Sequence, residues 1–147
     1  MKNHYFEFQI HNERHFQGMK DFFYELKVEK EQGTIDCSDA KWMDFFEEEV
    51  LQRFWWPTEE ELHHFSEIWM NTPVEKRFTE SQLQHPWDFE SMIDAFANGE
   101  YELIFCEKIS FNKGRIEFYP YAWPYGGNDV FRALIEYSSC EIIAESV

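Results

Sequence analysis

The chain has 147 residues, 44% of them hydrophobic and 20% aromatic, with 16 Phe and 6 Trp. This is enough apolar surface for one packed domain and excludes a disordered chain. Asp and Glu number 29 against 13 Lys and Arg, a formal net charge of -16, which repels phosphate backbones and anionic membranes and sets nucleic-acid and membrane binding aside.

Met1 to His4 lead straight into a strand pattern, so no signal peptide is expected. No apolar run approaches the ~20 residues that cross a bilayer. Phe6, Phe8 and Ile10 alternate with Tyr5, Glu7 and Gln9, which predicts a strand with one buried face. A turn follows at His11–Arg14. Phe16, Met19, Phe22, Phe23 and Leu26 then take helical spacing up to Gln32-Gly33. Ser38 or Asp39 is expected to cap one helix with the stripe Trp42, Phe45, Phe46, Val50 and Phe54, stopped by Pro57. Thr58 and Glu61 form a capping box for the next helix, whose Leu62, Phe65, Ile68 and Trp69 are expected to face inward. Residues 71–87 are polar and irregular, with Pro73 and Pro86, and read as a long surface connection with one helical turn from Thr79.

Asp88 is placed to cap a helix with Phe89, Met92, Ile93 and Phe96 inward and Gly99 at its end. A strand over Tyr101–Phe111 is expected to bury Leu103, Phe105, Ile109 and Phe111 on one parity. Asn112-Lys113-Gly114 reads as a three-residue hairpin loop before a strand from Arg115 to Tyr121. Gly126-Gly127 should supply a left-handed turn at Gly127, and Asn128 should cap a last helix with Phe131, Leu134 and Ile135 buried. Cys140–Ala144 closes the chain as a strand. The three cysteines, Cys37, Cys106 and Cys140, have no zinc or C-x-x-C spacing, so free thiols in a reduced cytoplasmic setting are expected.

The expected fold is therefore α+β, one domain over residues 1–147. Its antiparallel sheet of about four strands runs in βαββαβ, ferredoxin-like order, with a helical insertion over about 38–98 between the first helix and the second strand. The rival arrangement has helices on both sheet faces.

Four constellations could carry chemistry. His11 and His15, flanking Glu13, read as solvated turn histidines rather than metal ligands. Glu60, His63, His64 and Glu67 stand at i,i+4 spacing on one helix and form the best metal candidate in the chain, although charge pairing along the helix is the favoured account of them. The Gly126-Gly127-Asn128 loop, with Arg115 and Arg132 the nearest cations, reads as a turn and cap rather than an anion site. Tyr119, Tyr121, Trp123 and Tyr125 are the expected ligand- or partner-binding residues, with Tyr119 and Tyr121 projecting from the sheet face opposite Ile116 and Phe118 unless the insertion covers that face. No catalytic motif is present and no cofactor is implied. The leading expectation is a non-enzymatic, bacterial-type cytoplasmic protein that binds a basic protein partner as immunity proteins and inhibitors do. The alternative is a small-molecule or metal-binding domain, with or without enzymatic activity, using a pocket between the sheet and the inserted helices. A third is a homodimer through the aromatic face.

Overall fold

The computed structural model describes residues 3–121 and 128–146. In chain order the elements are β1 (His4–Ile10), α1 (Glu13–Gln32), a 3-10 turn (Ala40–Phe45), α2 (Glu48–Leu51), α3 (Glu59–Asn71), two more 3-10 turns (Val74–Lys76 and Ser81–Leu83), α4 (Phe89–Asn98), β2 (Tyr101–Ser110), β3 (Lys113–Pro120), α5 (Asp129–Tyr137) and β4 (Cys140–Ser146). The strands form one antiparallel sheet in the order β2-β3-β1-β4. The α+β class is as the sequence predicts.

One sheet face builds the core. Register places Phe6 opposite Ile116 and Leu103 opposite Phe118, so inward side chains meet across strands. Phe131 of α5 links sheet and helices: its ring lies 4.4 Å from Phe118, 5.2 Å from Phe96 and 5.8 Å from Phe6. The predicted α1 stripe is buried in full. Asn12 caps that helix by accepting from the His15 N–H at 3.0 Å, and Gly33 ends it in the left-handed conformation at φ 70°.

The insertion packs on the helix side. The Phe46 ring lies tilted against Phe22 at 4.9 Å, and Phe54 meets Phe89 and Tyr137 edge-on at 5.1 and 4.8 Å. Lys30 in the last turn of α1 closes α4. Its ammonium donates to the carbonyls of Phe96, Ala97 and Gly99 at 2.7, 3.2 and 2.8 Å, and burial lowers its pKa. The opposite sheet face carries Tyr5, Glu7, Arg115, Glu117 and Tyr119. There Arg115 pairs with Glu7 and Glu117, each at 2.9 Å, and lies over the Tyr5 ring at 3.8 Å.

Three local expectations are corrected. The predicted helix over 38–57 is broken: Phe46 and Glu47 are extended, and the separate short α2 starts at Glu48. At that point the Phe45 backbone presses on Gly18 of α1, where any Cβ would collide with it. The parity predicted for Tyr101–Phe111 fails because the register shifts twice, between Leu103 and Phe105 and between Lys108 and Ser110. Leu103 and Cys106 are buried in consequence, while Ile109 and Phe111 are exposed. The hairpin loop is Phe111-Asn112 alone, since Ser110 pairs with Lys113. Gly114 serves packing, not the turn: a Cβ there would stand 2.5 Å from the Phe8 ring.

β2 is an edge strand, and α1 covers its free side. The Tyr24 hydroxyl accepts from the Cys106 N–H at 3.2 Å and donates to Glu107, whose other oxygen takes Lys20 at 2.8 Å.

Candidate functional site

Between Phe54 and Phe89 the chain makes an excursion from the core in which Leu83 is the one buried residue. It closes on itself. The Trp55 N–H donates to the Trp87 carbonyl at 2.8 Å, and Trp55 bridges to Asp88 in parallel fashion. Within it α3 has both halves of its capping box, Thr58 with the Glu61 N–H and Glu61 with the Thr58 N–H. The expectation that Leu62, Phe65, Ile68 and Trp69 point into the core is corrected, because α3 has no buried residue. Leu62 is 45% exposed and Trp69 39%. Leu62, Phe65 and Trp69 instead form one wall of a groove of about 600 Å³, lined also by Trp55, His85, Pro86, Trp87, Asp88 and Ser91. This groove lies inside the insertion and not between the insertion and the sheet.

The rings order the groove. His85 stacks on Trp55 at 3.9 Å and meets the edge of Phe65 at 5.0 Å. Phe65 stacks towards Trp69 at 6.2 Å, and the Arg77 guanidinium sits over Trp69 at 4.6 Å. Arg77 also donates through Nε to the carbonyls of Trp69 and Thr72 at 3.1 and 3.2 Å, which closes the end of α3. Asp88 caps α4 by accepting from the Ser91 N–H at 3.2 Å and hydroxyl at 2.6 Å. A smaller cavity of about 230 Å³ lies across His85, with Glu61 and His64 in its lining.

Around the groove the surface is acidic and apolar at once. From Thr58 to Ser91 the chain carries eight Asp or Glu and two Lys or Arg. Among the described residues twelve large apolar side chains are exposed, and six of them, Trp56, Leu62, Trp69, Met70, Val74 and Phe78, fall between 56 and 78. Half of the exposed apolar side chains thus fall in one short segment, a denser apolar patch than the scattered exposure of an ordinary surface.

Of the predicted site residues, His63 pairs with Glu67 at 3.1 Å along α3, with both side chains open to solvent. Glu60 is exposed, and His64 lines the smaller cavity. Among the described residues no group of three or more His, Cys, Asp or Glu is placed to hold a metal ion. Tyr119 is half-buried and Tyr121 exposed, with their rings 6.2 Å apart. Tyr121 opens on a separate cavity of about 210 Å³ with Lys27, Lys30 and Tyr101, and burial followed by the charges of Glu102 and Glu31 raises its pKa. Trp123, Tyr125, Gly126 and Gly127 lie outside the described residues. Asn128 precedes α5, but its side chain makes no cap; it accepts from Arg132 at 2.8 Å instead.

One constellation is absent from the sequence-based expectations. His15 is 2% exposed, not solvated. Its Nδ1 lies 2.7 Å from Ser139 Oγ, and its Nε2 lies 2.9 Å from Glu47 Oε2, out of line for a hydrogen bond. Arg53 donates to Ser139 Oγ at 2.8 Å and to the Tyr137 carbonyl at 2.7 Å. Ser139 has φ 60°, a left-handed conformation that turns α5 into β4. The residue types are those of a hydrolytic triad, yet Ser139 lines none of the cavities above. We read the group as a clasp that ties the start of α1 and the entrance of α2 to the α5–β4 turn. His11, by contrast, is exposed, 3.6 Å from Glu141.

No helix among the described residues is long and apolar enough to cross a membrane. No family model, curated protein or solved structure matches the chain.

Proposed function

We propose that this protein is a binding module that docks a basic protein partner on the groove beside α3. The carrying observation is that α3, an amphipathic helix of 13 residues, fully buries none of its side chains, with Phe65 and Ile68 only half-buried. A helix of that length is marginal in water on its own and ordinarily gains its stability by packing an apolar face. A partner laid in the groove supplies that packing. The surrounding carboxylates select the partner's sign, and a second copy of the chain would bring two acidic surfaces together. A small ligand is the second reading, favoured by the groove volume of about 600 Å³, which is in the range of ligand sites. At the level of the sheet we infer a ferredoxin-like arrangement; its support is that α1 with the insertion, and separately α5, join strands with one other strand between them.

The test uses two baits, the parent protein and a Leu62→Glu, Trp69→Glu variant. Capture is run at low and high salt, and the captured protein is purified and titrated back. A basic protein that binds the parent, loses affinity with salt and ignores the variant is expected. Equal affinity for both baits overturns the reading.

A further inference from the structure

We propose that the groove is built around a guanidinium: it takes an arginine side chain of the partner between its tryptophans and against Asp88. The inference rests on the docking reading above and names the anchor. Three observations carry it. First, three indoles and a phenyl ring, Trp55, Trp69, Trp87 and Phe65, line the groove, and Trp87, which is half-buried, stacks on no other ring among the described residues. Electron-rich faces of this kind attract a cation, indole most strongly. Second, Asp88 is a carboxylate in the groove lining, and no cation pairs with it among the described residues. Its capping bonds from Ser91 both go to Oδ2, which leaves Oδ1 as an acceptor for an incoming donor. Third, the groove already binds one group of this chemistry at its rim: Arg77 lies 4.6 Å over Trp69 while its Nε bonds to backbone carbonyls. A planar guanidinium stacks on an indole and hydrogen-bonds a carboxylate simultaneously, which an ammonium does less well.

The probes are N-acetylarginine amide, its lysine counterpart and the uncharged citrulline counterpart. Each is titrated into the full chain and followed by tryptophan fluorescence and by backbone amide shifts. Arginine should give saturable shifts at Trp55, Trp69, Trp87 and Asp88, lysine weaker ones, and citrulline none. Asp88→Asn keeps a good helix cap and removes the charge, so it should weaken arginine binding about tenfold with the melting temperature unchanged. Citrulline binding as well as arginine, an unaffected Asp88→Asn, or shifts scattered over surface carboxylates would each overturn the inference. If Leu62→Glu, Trp69→Glu abolishes partner capture while Asp88→Asn does not, docking stands and the arginine anchor fails. If arginine binds in the groove and no basic protein does, the anchor stands and the docking reading fails.

Discussion

Tyr24 performs two tasks at the free edge of β2, and they make it sensitive to alkali. Burial, then its hydrogen bond to Glu107, raises the phenol from 10.0 to about 12. Its folded pKa lies above the unfolded one, so its stabilising effect is complete below pH 10 and is lost as the pH climbs towards 12. Tyr24→Phe should cost about 1 kcal/mol at pH 8 for the lost hydrogen bonds, and should lose less stability than the parent between pH 10 and 12. Urea melts across that range check it; parallel curves for parent and variant would assign the alkaline loss to other groups. Residue-scale facts such as this one were the least legible in the sequence. Tyr24 and Glu107 are 83 positions apart and His15 and Ser139 are 124 apart, and a pattern of apolar spacing carries no information about polar partners at that range. His11 and His15 looked alike in sequence because both flank one turn. The start of α1 separates them, turning His15 inward and leaving His11 in water.

At the scale of elements, periodicity located the helices and strands but not what they pack on. The α1 stripe and the α3 stripe have the same spacing, yet one is buried in full while the other has Leu62 and Trp69 exposed and Phe65 and Ile68 only half-buried. Amphipathicity identifies a face; whether the chain itself supplies a cover depends on tertiary placement. This difference gives a direct comparison. Phe22→Ala should cost about 3–5 kcal/mol through the cavity it leaves, whereas Leu62→Ala should cost about 0.5 kcal/mol, as for an exposed site. Chemical denaturation of the two variants decides it: a loss at Leu62 comparable to that at Phe22 would mean that α3 is part of the core. Capping signals were more dependable where the side chain had no rival partner. Thr58 and Asp88 cap as their sequence context predicts, while Asn128 is diverted by Arg132, whose guanidinium also holds Asp129 and Glu145. The two register shifts in β2, between Leu103 and Phe105 and between Lys108 and Ser110, leave no mark in the sequence, and Ile109 and Phe111, expected to be buried, are exposed.

For the molecule as a whole, composition fixed the class, because alternating segments flanking helical ones leave an α+β sheet as the economical packing. It also set a charge of -16 that opposes compaction at every ionic strength where it is unscreened. The Debye length shrinks from about 30 Å at 0.01 M salt to about 8 Å at 0.15 M, so the melting temperature should rise by a few degrees over that interval in NaCl. A fall would mean that the surface ion pairs, several of them around Arg115 and Arg132, outweigh the repulsion. The expected contact surface on the tyrosines after β3 and the groove beside α3 are different places, and composition could not choose between them: the aromatics are spread along the chain, and only folding shows which lie open. The excursion from Phe54 to Phe89 leaves and returns at the paired Trp55 and Trp87–Asp88 positions and gives the core almost nothing in between. Such a segment is an exchangeable cassette. Its length and surface can change while the sheet and its helices keep their packing, so the groove and the core can vary independently in this chain.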